Sequence, residues 1–401
     1  MKHLVIGKFS IYLLLLAAYN PFTTFIFNKT GFHGAILHQS LMFSGWIAFI
    51  MINIKFAIRV VNYQLFITLF LILSYCAFSL INGSQYGNMN GSIADIAYFI
   101  ELWMFYVAAL ISVKFHSIAD ILKTYRNVLI INGLGVVIIY VLLKSELYFT
   151  LQLGPIRVSR ALDFLIISGL LIVLYGSRHK RPNRLVYFLL LTLFVFANAL
   201  GFSRGVWLAL IIIIILDISI RTGYKFYRLR IAFKPVNIVI LPSVILALAL
   251  LQAYFPIFNL VVARLMDLDY DTASIGGRIT AYSSLFIESF SDFGILLAGK
   301  GAGAYMPGLH IPASSSPSFL GTILYVHGFV IFSLFCCILI MLAYRLAGIS
   351  FTSHGQFGRF PIYNLIAHFI ILNIFPSVSH FPILGFVVFV SFAMLKAKGE
   401  R

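Results

Sequence analysis

The residues best suited to chemistry lie in the stretch 201–320. Ser203-Arg204-Gly205 stands between two apolar runs, and Gly276-Gly277-Arg278 opens an aromatic-rich segment further on. A guanidinium is a planar fork that can pair with two phosphate oxygens at once. A glycine beside it, Gly205 or Gly277, lets backbone and ligand approach closely. Arg204 is the sharper case, because an arginine held at membrane depth is costly and usually has a partner. Its plainer reading is a side chain snorkelling to lipid headgroups. At Arg278 the open start of a helix over 279–290 adds backbone N–H groups to the anion site. The plainer reading there is an amphipathic interfacial helix, with Tyr282, Leu285, Phe286 and Phe290 at near-helical spacing. Arg157, Arg160 and Arg264 are further candidates for holding an anionic or glycan substrate.

Other groups carry less. Asp267, Asp269 and Asp271 alternate, but a calcium loop needs glycine at its sixth position and glutamate at its twelfth. Those positions are Thr272 and Arg278. Asp269 and Asp271 stay open as either a solvated acidic turn or general-base candidates, and His310 and His380 as either structural residues or general-base candidates. Gly299, Gly301 and Gly303 form Gly-x-Gly-x-Gly without the preceding strand of a dinucleotide fold, so they read as a turn returning the chain to the membrane. Cys76, Cys336 and Cys337 fall inside apolar runs and suggest neither disulfide nor metal. No metal and no cofactor are expected.

The elements that must position these residues are set by composition. Of 401 residues, 61% are hydrophobic and only 10% charged, with a mean hydropathy of +1.00. That pattern predicts an all-α, polytopic membrane protein, since the apolar runs are continuous rather than alternating as in a barrel. About twelve spans are expected, at roughly 4–19, 35–54, 63–81, 93–113, 127–143, 162–176, 185–200, 205–220, 236–255, 319–343, 362–375 and 381–395. The whole chain, 1–401, reads as one transmembrane domain. The net charge of +17 fits basic residues retained on the cytoplasmic side better than a nucleic-acid partner.

Two basic connections, Arg178–Arg184 and Arg221–Lys234, set the orientation. Propagating outward from them puts both termini in the cytoplasm. It leaves only Lys29, Lys144, Arg157, Arg160, Arg204, Arg264, Arg278 and Lys300 of the 29 basic residues outside. One large external loop, 256–318, is expected to pack on the bundle as short helices.

In order and spacing, several motifs resemble the O-antigen ligase and O-antigen polymerase superfamily. They are Ser203-Arg204-Gly205 opening a span, Gly277-Arg278 in a large external loop, and Leu297-Ala298-Gly299-Lys300-Gly301-Ala302-Gly303. Tyr325-Val326-His327-Gly328-Phe329 follows in the next span. The similarity covers about 195–335. It implies a metal-independent GT-C-type glycosyltransferase in the bacterial inner membrane, acting at the periplasmic face on oligosaccharide carried by undecaprenyl diphosphate. Arg204 and Arg278 would hold the diphosphate, and Arg157 and Arg160 would assist. Ligases of this family carry a His-Asn pair where this chain has Ser316-Pro317, with His310 out of register. The departure favours a surface-polysaccharide polymerase over a ligase, with a lipid-linked oligosaccharide flippase as the remaining alternative. A chain-length regulator and a repeat-unit flippase are the implied protein partners.

Overall fold

The computed structural model describes residues 11, 14, 34–60, 63–86, 89–142, 160–176, 184–200, 204–222, 275–308, 313, 319–352 and 358–374. Among them the chain is helical, without a sheet. In order the helices are α1 (Gly34–Ile52), α2 (Ile54–Val60), α3 (Tyr63–Tyr86), α4 (Met89–Phe115), α5 (Ile118–Leu142) and α6 (Arg160–Tyr175). They continue with α7 (Arg184–Leu200), α8 (Arg204–Thr222), α9 (Ile275–Ser291), α10 (Phe293–Ala298), α11 (Phe319–Thr352) and α12 (Phe360–Ile374).

Local chemistry explains several boundaries. At Asn53 the side-chain amide donates to Phe49 O at 2.8 Å, closing α1. The Asn53 carbonyl then accepts from Phe56 N at 2.9 Å, starting α2 at a bend of 90°. Before α5, Ser117 Oγ accepts from Asp120 N at 3.3 Å and donates to Asp120 Oδ2 at 2.8 Å, a cap that satisfies a first-turn amide. Asp292 caps α10 by accepting from Gly294 N and Ile295 N.

The number of spans differs from the twelve expected. Among the described residues three helices are long and apolar enough to cross a membrane: Leu65–Gln85 in α3, Asp120–Ile138 in α5 and Phe319–Gly348 in α11. The bent α1–α2 pair would make a fourth. Hydropathy counts apolar residues, whereas crossing demands uninterrupted helix. The apolar segments Leu185–Ala197, Val206–Ile220 and Phe360–Ile371 fall in the 10–17-residue class. At 1.5 Å per residue they reach only about 15–26 Å, short of the roughly 30 Å hydrocarbon core. The expected runs at 236–255 and 381–395 lie outside the described residues, as does 4–19 apart from Ile11 and Leu14. The expected multi-pass inner-membrane topology, with cytoplasmic termini and a periplasmic site, depended on alternation through twelve spans and does not stand on three or four.

Packing is organised around two helices. α4 packs on α1, α2 and α3, and buries Phe105, Ala108, Ala109 and Ile111. α12 packs on α6, α8 and α11, while α5, α6 and α7 pack on one another in sequence. α9 and α10 lie against α11, with Leu285, Ala304, Met306, Ala313, Tyr325 and Val326 as their shared apolar core.

Candidate functional site

The most constructed part of the molecule is the turn after α10. Gly299, Gly301 and Gly303 have φ of 74°, 90° and 78°. At Gly301 a Cβ would sit 2.2 Å from Gly83 N, and at Gly83 a Cβ would sit 1.9 Å from Ala302 O. Two glycines facing each other thus let the turn touch the backbone of α3. Polar bonds fix the contact. Ala302 N donates to Ser79 O at 3.1 Å and to Ser79 Oγ at 2.9 Å. Asn82 Nδ2 donates to Gly299 O at 2.7 Å, and Ser92 Oγ to Ala302 O at 2.6 Å.

On its other side the turn repairs a broken helix. Gly328, at φ 76° and ψ 173°, interrupts α11. The carbonyls of Tyr325 and Val326 then accept from Lys300 N and Gly301 N, each at 2.9 Å. Irregular backbone is tolerated at membrane depth where protein satisfies it in this way.

Side chains converge on the same place. Lys300 Nζ meets Glu288 Oε1 of α9 at 2.8 Å, with the two side chains 15% and 36% exposed. The ammonium lies 5.2 Å from the Tyr325 ring centroid, and Tyr325 OH donates to Tyr305 O at 3.0 Å. Burial alone would lower the Lys300 pKa. Hydrogen bonding and charge from Glu288 and Tyr325 outweigh it, so the net shift is upward. Within α11, the buried His327 and the Tyr75 hydroxyl of α3 are hydrogen-bonded through Nδ1. Tyr75, Ser79 and Gly83 are four residues apart and share one face of α3.

The expected site residues fall as follows. Arg204 is the first residue of α8 with Gly205 next to it, Arg160 is the first of α6, and Gly277 and Arg278 lie in the first turn of α9. Bonds at the far ends set the direction of α6 and α8. Arg359 N donates to Tyr175 O at the end of α6 at 3.0 Å, and Arg359 Nη1 pairs with Asp217 Oδ1 near the end of α8 at 2.6 Å. Both helices therefore come to Arg359 near their ends and both pack along α12, which puts their starts, Arg160 and Arg204, toward the other end of α12, about 20 Å away. α12 starts just after Arg359 and reaches Asn373, whose Oδ1 accepts from Leu320 N at 3.2 Å. The start of α11 therefore lies at the arginine end too. α8 and α9 share no extended packing contact, since α8 packs on α12 and α6 while α9 packs on α10 and α11. Asp269, Asp271, His310, His380, Arg157 and Arg264 lie outside the described residues.

Sequence reasoning missed Glu288, Tyr75, Ser79, Asn82, Gly83 and Ser92. The 75/79/83 stripe of tyrosine, serine and glycine on an apolar helix was a usable signal. The Lys300–Glu288 pair was not, because its members sit on different elements. Among the described residues no group of three or more His, Cys, Asp or Glu side chains could hold a metal ion.

No family model, no curated protein and no solved structure matches the chain. The resemblance to O-antigen polymerases and ligases requires an architecture of about twelve spans, and the described residues supply three, or four with the bent pair. The expectation of a surface-polysaccharide polymerase, with ligase or flippase as alternatives, is corrected on that finding.

Proposed function

We propose that this protein binds a membrane-borne diphosphate at the arginine end of the bundle and acts as a metal-independent glycosyltransferase, drawing saccharide from undecaprenyl diphosphate. The observation that carries this reading is the common end shared by the starts of α6 and α8, with Arg160 and Arg204 as their first residues. Two arginines at the first positions of their helices, among N-terminal amides, suit a diphosphate leaving group, whose charge grows as the bond to C1 breaks. Lys300 is engaged by Glu288 and Tyr325, which leaves the arginines as the diphosphate ligands. In the reaction an acceptor hydroxyl oxygen bonds to C1, the C1–oxygen bond to diphosphate breaks with its electron pair going to the diphosphate, and the hydroxyl proton goes to a carboxylate.

The test is vesicles containing undecaprenyl-diphosphate-linked oligosaccharide, assayed for lipid retention on the protein and for sugar transfer to a soluble acceptor in EDTA. Losing a charged hydrogen bond costs about 1.5–3 kcal/mol, so Arg160→Ala and Arg204→Ala should each weaken retention by roughly ten- to a hundredfold. Retention unchanged in both variants overturns the reading. Arginine-dependent retention without transfer reduces it to a binding protein.

A further inference from the structure

We propose that α9 and α10 form an interfacial element that sinks its outward apolar face into the acyl region of a lipid bilayer, alongside α11. This goes beyond the proposed reaction and is independent of it.

The outward face of α9 changes character along its length. Thr280 and Ser283 are exposed in its first half and at its middle, and Ile287 and Phe290 toward its end, at helical spacing. Phe293 and Leu297 continue the apolar face on α10, and Phe293 is 74% exposed. The opposite face, with Leu285 and Ser289, is buried against α11. Four large apolar side chains displayed together on a polar-to-apolar gradient fit a layer that is wet at one level and hydrocarbon at the next.

Continuity with α11 names the occupant. A Cβ at Gly328 would lie 2.3 Å from Leu297 O, so α10 ends against the break in α11. The residues that follow the break, Phe329 and Val330, are exposed within the span Phe319–Gly348. A second protein would have to cover both helices at once, whereas lipid already faces the span. Depth agrees. The 30 residues of that span extend about 45 Å at 1.5 Å each, against a hydrocarbon core of about 30 Å. With the span centred, Gly328 lies about 13 Å from its start and about 6 Å below the hydrocarbon boundary. That is within the roughly 5–10 Å at which interfacial helices lie. Asp292, at the other end of α10, has its carboxylate held by two capping amides.

The experiment places single spin labels at Ser283→Cys, Ile287→Cys, Phe293→Cys and Leu297→Cys, with Val330→Cys as the lipid-facing reference. The background carries Cys76→Ala, Cys336→Ala and Cys337→Ala. The full chain is reconstituted in phosphatidylethanolamine–phosphatidylglycerol vesicles, and collisions with oxygen and with a water-soluble nickel chelate are compared. All five positions are exposed, so labels there leave the core intact. Expected is a high nickel-to-oxygen ratio at 283, falling about tenfold by 293 and 297 to the level at 330. Nickel accessibility at 293 and 297 equal to that at 283 overturns the proposal, because the face is then in water. Low access to both reagents also overturns it, because the face is then covered by protein.

Discussion

At the scale of single residues, Glu101 and Lys300 show opposite treatments of charge. Glu101 lies in α4 at 0% exposure, and neither carboxylate oxygen has a hydrogen-bond partner among the described residues. A polar group buried without a partner keeps its desolvation cost and gains nothing in return. Replacing such a group with an apolar one of similar volume is stabilising by about 1–3 kcal/mol. Glu101→Leu should therefore raise the unfolding midpoint in detergent, and a lowered midpoint would reveal a partner for the carboxylate. Lys300 is paired, and its folded pKa is raised. A cation whose pKa rises on folding contributes stability that is fully present below its unfolded value, near 10.4 for lysine. That stability is lost as pH rises through the folded value. The half-exposed partner limits the contribution to about 1 kcal/mol. The gap in midpoint between the native chain and Lys300→Met should stay flat from pH 6 to 9 and close only above pH 10.5. A gap that closes in the neutral range would assign the stability to another group.

At the scale of elements, the turn works because three pieces of backbone touch without side chains between them. Gly301→Ala forces a methyl to within 2.2 Å of Gly83 N, at a φ of 90°. Neither backbone can yield cheaply, so the cost should exceed about 3 kcal/mol. Gly328→Ala meets Leu297 O in the same way and should detach the turn from α11. Gly348→Ala, in the same helix where an added Cβ would meet no described atom within 4 Å, should instead gain up to about 1 kcal/mol. Equal destabilisation by all three would mean that helix propensity, and not the interlock, sets the response. Much of this region was legible in the sequence as a location. Glycines at 299, 301 and 303 do make a turn and α8 does begin at Arg204, whereas the helix expected over 279–290 begins four residues earlier, at Ile275, so that Arg278 lies in its first turn. What it grips was not legible. Gly83 and Gly301 are distant in sequence, and hydropathy reads 319–343 as one span although Gly328 breaks it. Span number failed for a related reason. An apolar run reports burial in something, and α4, α7 and α12 bury their apolar faces against other helices as well as any membrane segment would.

At the scale of the molecule, α12 is the strut that sets the spacing between the Arg359 end and the arginine end. It packs on α6, α8 and α11. At its foot Arg359 Nη1 meets Asp217 Oδ1 at 2.6 Å, Tyr363 OH donates to the same oxygen at 2.9 Å, and Arg359 N holds Tyr175 O. Tyr363 also meets Tyr175 edge-on at 4.8 Å. Higher up, Ser168 Oγ donates to Asn364 Oδ1 at 2.8 Å, tying α6 to α12 again. One carboxylate on α8 therefore organises the ends of three helices, and its loss should be felt well beyond its own contacts. Asp217 is 8% exposed in its side chain and Arg359 27%, so Asp217→Ala takes the carboxylate away from a partly buried guanidinium. Breaking a buried pair from one side costs about 3–5 kcal/mol, reduced here to roughly 2–3 because water reaches Arg359. The double variant Asp217→Leu, Arg359→Met removes both charges and should recover most of that loss, since apolar replacement of an ion pair is often neutral. Hydrogen exchange gives the decisive readout. With Asp217→Ala, the amides at the ends of α6 and α8 should lose protection together with those at the start of α12, while α3 and α4 keep theirs. Loss confined to α8 would show that the three helix ends are not coupled through this carboxylate, and the strut would then depend on apolar packing alone.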